Sequence, residues 1–335
     1  VKVDVSTTTD VFEMLKDEWN ALVDKSPFQC VFYMWEWHST WWEAYHPGDL
    51  WVLTCRSDDG RLLGIAPLFV DDAGVLRGIG NGEGSEDVTD YFDFIVDNDC
   101  TGPVLECFGQ CINTNRNLFD RINISDIPQE SPTFELLPQY LRELNFDVTV
   151  EQAEVCPVID LPEDWAGYLD LLDKKYRHEL RRKMRRAKGA AEEIDWYIVG
   201  EEHDLKAEMD TFLKLMAASD AEKAEFLQHE RNLRFFEKIV PIAYENGWLM
   251  LNFLTVTDEP VSAYLNFVYD GEVVVYNSGQ SHEKYDHLST GILLLADNIR
   301  YAIENGYKKF NFLRGDEPYK YHMGGKDTSV HVLRA

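Results

Sequence analysis

The sequence predicts an α+β protein made of two similarly built lobes. Three observations lead there: an antiparallel run of strands that occurs twice, a switch to helical period after each run, and an aperiodic stretch with two prolines between the halves. The first run starts at Trp51, WVLTCRSDDGRLLGIAPLFVDDAGVLRGIG, with turn chemistry at Asp59-Gly60 and Asp72-Ala73-Gly74. The second starts at Trp248, WLMLNFLTVTDEPVSAYLNFVYDGEVVVYNSG, with turn signals at Asp258-Glu259-Pro260 and Asp270-Gly271. In it Val261, Ala263, Leu265, Phe267 and Tyr269 alternate with Ser262, Tyr264, Asn266, Val268 and Asp270, the period of a strand with one preferred core face.

After the second meander, Ile292, Leu295, Ile299 and Ile303 form a helical stripe opened by Ser289-Thr290 and closed by Gly306. Lys308 to Leu313 then reads as a returning strand, so a buried helix crosses over between parallel strands. The first half echoes this more weakly, with a strand at 93–96, a helix at 103–112 and a strand at 121–126. AEVCPVIDLP, at 153–162, places the lobe boundary near residue 158, giving lobes at 1–158 and 159–335. Helices are predicted at 163–188, 204–216 and 224–246, ahead of the second meander.

With 335 residues, 45% apolar and 13% aromatic, the chain can bury cores for two domains of ordinary size. Sixty acidic against 32 basic side chains give a net charge of -28, which excludes nonspecific nucleic-acid binding by the surface as a whole; an anionic ligand needs a local basic site. The six cysteines (Cys30, Cys55, Cys100, Cys107, Cys111, Cys156) form no CxxC pair and face no histidine at zinc-ligand spacing, so free thiols and no metal are expected. No apolar run approaches the ~18 residues of a membrane span. A soluble protein in the reducing cytoplasm is the expectation.

Four segments carry a family resemblance: YLDLLDKKYRHELRRKMRRA (168–187), GWLMLNFL (247–254), STGILLL (289–295) and FNFLRGDEPYKYHMGG (310–325). They resemble the CelD-like (BioF2-like) acetyltransferases of the GNAT superfamily and the related FemABX peptidyltransferases. VFYMWEWHSTWWEAY (31–45), GIAPLF and SPTFELL resemble the N-terminal lobe of the same group, so the resemblance covers nearly the whole chain. It implies two fused GNAT-like lobes, the C-terminal one taking acetyl-CoA or another acyl-CoA and acylating an amine of a sugar, a polysaccharide precursor or another small acceptor. The FemABX branch implies instead an aminoacyl group taken from tRNA and added to a peptide. A protein that kept the fold as a binding module is a third reading. The chain departs from the family pattern at Gln280-Ser281, where an acidic residue is usual, and at Thr290, where proline is.

For a GNAT-type donor, Ser289, Thr290 and Gly291 supply a helix start whose unpaired amides suit phosphates; an ordinary Ser/Thr cap is the plainer reading. By the same resemblance, the backbone of Tyr276, Asn277, Ser278 and Gly279 would meet the pantetheine arm, Gly279 permitting the strand to splay. Asp316, Glu317, Tyr319 and Lys320 cluster after the returning strand. Either Glu317 or Asp316 is a candidate proton acceptor, Tyr319 a candidate acid for the leaving thiolate, and Lys320 with Arg314 candidate phosphate or substrate contacts; a charged surface loop is the alternative. Residues 174–188 carry nine Lys/Arg and one Glu, a local +8 in a chain of -28. Leu169, Leu172, Tyr176, Leu180 and Met184 trace the apolar stripe of that helix. Arg181, Arg182 and Arg185, on its other faces, are either anion-recognising or a solvated face. Tyr33, Trp35, Trp37, His38, Trp41 and Trp42 are expected in the core or at an interface. His282 and His287 read as loop histidines.

Overall fold

A computed structural model describes residues 1–82, 87–281 and 285–335, with only the backbone of Asp286. His282 lies outside the described residues. Two compact units emerge, one of residues 1–155 with 328–335, the other of residues 156–327.

The first unit opens with β1 (Lys2–Ser6), α1 (Asp10–Val23) and α2 (Trp35–Tyr45). The tryptophan-rich α2 is a core element: Trp37, Trp41, Trp42 and His38 are buried, and Trp37 Nε1 donates to Thr89 Oγ1 at 2.9 Å. The expected meander follows as β2 (Gly48–Arg56), β3 (Leu62–Asp71) and β4 (Val75–Gly78), each antiparallel to the one before. β5 (Ile95–Val96), α3 (Thr101–Thr114), β6 (Arg121–Pro128), α4 (Pro132–Glu143) and β7 (Thr149–Asp160) come next. Within β7 the chain leaves the first unit. α3 buries Val104, Leu105, Phe108 and Ile112 against β2 and β3, so the weak helical pattern at 103–112 is the crossover helix of this unit.

β4 and β6 are parallel but pair only at Val75–Arg121 and Leu76–Ile122. Beyond that point the returning chain closes the gap with Phe92, whose amide donates to Asp126 O at 2.9 Å and whose ring lies 2.5 Å from where a Cβ on Gly78 would sit. Only glycine at 78 leaves room for this plug.

The second unit begins with α5 (Trp165–Leu171) and α6 (Lys174–Lys188), then β8 (Ile194–Ile198), α7 (Leu205–Ser219), α8 (Ala221–Phe226) and α9 (Glu230–Glu245). The helix predicted over 163–188 is thus two, broken at Leu172 and Asp173 where the backbone turns extended. The helix predicted over 224–246 is also divided. The second meander is β9 (Leu249–Val256), β10 (Glu259–Tyr269) and β11 (Glu272–Gln280), followed by α10 (Thr290–Glu304), β12 (Lys309–Asn311) and the short α11 (Pro318–His322). The strand order here is β7-β12-β11-β10-β9-β8, with β11 and β12 parallel and the remaining pairs from β12 to β8 antiparallel. The hairpin between β9 and β10 turns at Thr257 and Asp258, both at positive φ (52° and 63°), one residue earlier than the Asp-Glu-Pro signal suggests. Last comes β13 (Lys326–Arg334), whose residues from 328 onward belong to the first unit and pair antiparallel with β6.

α10 buries Leu295, Ile299 and Ile303, three of the four residues of the predicted stripe, in a core with Met250, Leu254 and Tyr264. Each fully buried aliphatic side chain of this kind contributes about 1.5–3 kcal/mol. That burial fixes the crossover helix on the sheet and so determines where its first turn lies.

Asp93, buried in the first unit, offers a test of the interior near the Phe92 plug. Burial pushes its carboxyl up to about 6, against hydrogen bonds from Ser131, Thr133 and the Phe94 amide that pull it down. Because the folded value exceeds the unfolded one, the associated stability is present below pH about 4 and is lost as pH rises through about 6, by about 3 kcal/mol. Thermal melts from pH 4 to 7 should show this loss in the wild type and not in Asp93→Asn; parallel curves would acquit the Asp93 carboxyl.

Candidate functional site

The parallel ladder between β11 and β12 lasts only from Glu272–Lys309 to Val274–Asn311, while β11 continues to Gln280. The strands part there because β11 carries a bulge: Val275 faces Asn266 and Asn277 faces Leu265, which leaves Tyr276 as the extra residue. Its ring packs between Phe267 and Phe236, at 5.1 and 6.0 Å. Gly279 has a different task from the one expected. A Cβ there would collide with the Met216 amide and lie 2.5 Å from the Leu215 carbonyl carbon, so this glycine admits the backbone of α7. The bulge bends the strand, and Gly279 lets a helix sit against it.

Backbone groups near this end are also engaged. Asn277 Oδ1 accepts from the Ser278 amide at 2.9 Å, and the Ser278 carbonyl accepts from Lys223 Nζ of α8 at 2.7 Å. Burial lowers the Lys223 ammonium pKa, while Asp220 and Glu317 favour its charge. Lys223 was not singled out by the sequence, where it lies among polar residues of a short helix.

At the first turn of α10, Ser289 sits in the left-handed region at φ 58°. The amides of Ile292 and Leu293 reach back to the Ser289 carbonyl, leaving those of Thr290 and Gly291 ahead of the intrahelical ladder. Thr290 is turned inward, its hydroxyl accepting from Ser262 Oγ at 2.7 Å in the buried interior. Gly291 faces the Gln280 side-chain oxygen, which approaches the place a Cβ would take. The basic helix α6 crosses this end: Lys183 Nζ donates to Ser289 Oγ at 2.9 Å and Arg186 donates to the His287 carbonyl at 2.9 Å. Two cations are thereby held against the positive end of a 15-residue helix. Like charges held together in this way favour an anion between them.

Arg181, Arg182 and Arg185 point elsewhere. They are exposed, with no hydrogen bond or ion pair to another described residue. Of the predicted stripe, Leu169, Leu172 and Leu180 are buried, Leu180 being the buried residue within α6 itself.

The cluster after β12 divides in two. Lys320, expected to meet a phosphate, is 2% exposed and points into its own loop. Its ammonium donates to the carbonyls of Leu313, Arg314 and Gly315 at 3.3, 2.6 and 3.2 Å, and pairs with Glu317 at 2.9 Å. Leu313 (φ 57°) and Gly315 (φ 112°) turn their carbonyls toward it. Glu317 is bound to that ammonium, and Asp316 is exposed. Tyr319 turns the other way, packing on Phe312 and lining a cavity of about 100 Å3 with Tyr176, Glu179 and Lys183 of α6, Ile292 of α10 and His322 of α11. Burial, with the Glu317 charge adding, raises the Tyr319 phenol pKa well above its usual value, so it is a proton donor at neutral pH. The cavity therefore joins three regions separated in sequence: the basic helix, the start of α10, and the loop after β12. Asp316 and Glu317 lie outside it.

Among the described residues no cluster of side chains suits a metal ion, and no helix is long and apolar enough to cross a membrane.

Residues 174–321 match the family model described as an acetyltransferase (GNAT) domain. Comparison with curated proteins returns no match. Among solved structures the chain is similar to FemX, at 13% identity over 98% of this chain and 96% of that one, with a TM-score of 0.65. It is similar to L-PGS from Bacillus licheniformis, at 11% identity over 95% and 90% of the two chains, with a TM-score of 0.57. A tandem GNAT protein from the clavulanic acid biosynthesis pathway aligns at 12% identity over 99% and 98%, with a TM-score of 0.50. At such identities the likeness concerns the fold, which these proteins share over nearly their full length. The chain thus has the fold of FemX and the tandem GNAT proteins, and its residues 174–321 are similar to the acetyltransferase (GNAT) domain family.

Proposed function

We propose that the second unit is an acyltransferase that moves an acyl group, acetyl being the simplest, from acyl-CoA to an amine of a sugar, a polysaccharide precursor or another small acceptor. The observation that carries this reading is the Lys183–Ser289 contact, an ammonium held at the open amides of α10. The residues present fit a diphosphate: the amides of Thr290 and Gly291 and the cation of Lys183 would hold it, with Arg186 adjacent. Thr290 itself serves through its amide, since its hydroxyl is bonded to Ser262. Acyl-CoA would supply the activated thioester. The parting of β11 from β12 beyond Val274 supports a pantetheine path along Tyr276 to Ser278, and Tyr319 supports protonation of the departing thiolate. In the first unit the corresponding gap is filled by Phe92, which favours the second unit as the donor-binding one.

Lys320 is read as a positioning residue. By gathering three carbonyls and Glu317 it holds the loop that ends in Tyr319, so the carboxylate of Glu317 is first a partner of Lys320 and only then a candidate proton acceptor. Asp316 is the freer alternative.

A second reading, transfer of an aminoacyl group from tRNA as in the FemABX group, is favoured by the extent of the FemX match and by the exposed Arg181, Arg182 and Arg185.

Calorimetry should show CoA binding to the wild type, and Lys183→Glu should weaken it about tenfold or more with a reduced salt dependence. An unchanged dissociation constant in that variant would remove the phosphate role of Lys183. For the loop, Lys320→Ala leaves buried carbonyls unpaired and should cost about 1–3 kcal/mol in stability, read as a lower melting temperature with CoA affinity retained. A loss of CoA affinity without loss of stability would return Lys320 to direct ligand contact. To separate the two donors, the wild type and the Arg181→Glu, Arg182→Glu, Arg185→Glu triple variant are titrated with bulk tRNA and with CoA. CoA binding by both proteins and tRNA binding by neither supports the first reading; tRNA binding lost in the triple variant supports the second.

A further inference from the structure

The cavity beside α10 is also lined by a histidine, His322. His322 closes α11 three residues after Tyr319, so the two side chains leave the same face of one turn and line the same cavity of about 100 Å3. The imidazole stacks on Tyr176 of α6, with centroids 3.9 Å apart and planes inclined by 23°. Stacking fixes the ring by its face, and the side chain lines the cavity. Neither nitrogen has a hydrogen-bond partner among the described residues, and the same holds for the Tyr319 hydroxyl. The backbone on either side is anchored: Met323 O accepts from Tyr168 Oη of α5 at 2.9 Å, and the Met323 amide donates to Tyr319 O at 3.0 Å. A rigidly mounted base and a rigidly mounted acid thus face one small space. The two carboxylate candidates lack this placement, since Glu317 is bound to Lys320 and Asp316 is exposed.

We propose that His322 is the proton acceptor for the attacking amine, working opposite Tyr319 in this cavity. The assignment rests on the acyl-CoA reading above. As the amine nitrogen forms its bond to the thioester carbonyl carbon, one of its protons passes to the neutral imidazole. The carbon–sulfur bond breaks, and the thiolate takes the proton of the Tyr319 hydroxyl. The imidazolium then returns a proton to the tyrosinate, leaving an amide, a free thiol and the side chains as they began. The ionisable groups facing His322 are Tyr176, Glu179 and Lys183 from α6 and Tyr319 from its own helix, with Ile292 closing the α10 side. Glu179 lies 3.7 Å from Lys183, so the pair contributes little net charge to the imidazole.

The test combines a footprint with kinetics. Diethylpyrocarbonate modifies unprotonated imidazoles, and peptide mass spectrometry follows each histidine separately. Acetyl-CoA at saturation should slow modification of His322 at least about fivefold, while the exposed His46 and His229 react at unchanged rates. Turnover is followed by thiol release with glucosamine, lysine and an alanyl peptide as amine probes. The rate should rise with pH and fall about 100-fold or more in His322→Asn, with CoA affinity retained and the pH limb gone. Several outcomes overturn the assignment while leaving the acyl-CoA reading intact: CoA binds without protecting His322, the variant keeps its rate or its pH limb, or CoA binds and no probe amine is acylated. If CoA does not bind at all, the acyl-CoA reading falls, and this assignment with it.

Discussion

The buried contact between Ser262 Oγ of β10 and Thr290 Oγ1 of α10, at 2.7 Å, sets the geometry on which the candidate site depends. A hydroxyl pair sealed between a sheet and a helix has no water to turn to, so displacing one partner would leave the other unsatisfied in the interior. The bond therefore holds the helix start at one place along the strand, while the apolar side chains of α10 hold the helix flat on the sheet. With the start fixed, its open amides, the Ser289 hydroxyl and the Ile292 side chain are fixed as well. Everything that α6 contributes is arranged around them.

The charge distribution follows the same logic. In a strongly acidic chain, the cationic helix α6 is neutralised among the described residues only at Arg177–Asp170 and Lys183–Glu179. Lys183, half-buried, and Arg186, exposed, reach the segment that opens α10, while Arg181, Arg182 and Arg185 meet solvent. Ammonium groups at a helix start are poorly placed for stability. Their presence there is better understood as preparation for a ligand of opposite charge. Lys320 shows the contrasting case, a cation whose partners are all supplied by its own loop.

Much of this architecture was legible in the residues. Alternation along 261–269 and the stripe from Ile292 to Ile303 marked β10 and α10, but β10 is buried on both faces from Val261 to Phe267, so its alternation separates two covered faces and not a core face from an exposed one. Breaks were harder. No glycine or proline marks the end of α5 at Leu171, and the apolar stripe continues across Leu172, so the two helices read as one. The Asp316 to Lys320 cluster was visible as composition, but not the opposite directions in which Lys320 and Tyr319 point, since that depends on the positive φ values at Leu313 and Gly315. His322 lies inside the segment FNFLRGDEPYKYHMGG, without a motif of its own. Extending the face of Tyr319 by three residues would have found it. Lys223 had no local signal at all, because its burial comes from a strand 55 residues away.

The return of β13 to the first unit has a consequence for how the chain assembles. Residues 156–327 form a body nested between the two segments of the other, so the first unit's sheet gains its pairing with β6 only after the whole of that body has emerged. During synthesis from the N-terminus, α10 and its sheet can close while β6 still has an open edge at Ile124 to Pro128. Such an edge is a template for wrong partners until the last eight residues cover it. Shortening the chain at Asp327 would leave the second body with its own residues and strip the first of the strand that pairs with β6, so the damage would appear in the body the cut does not seem to touch.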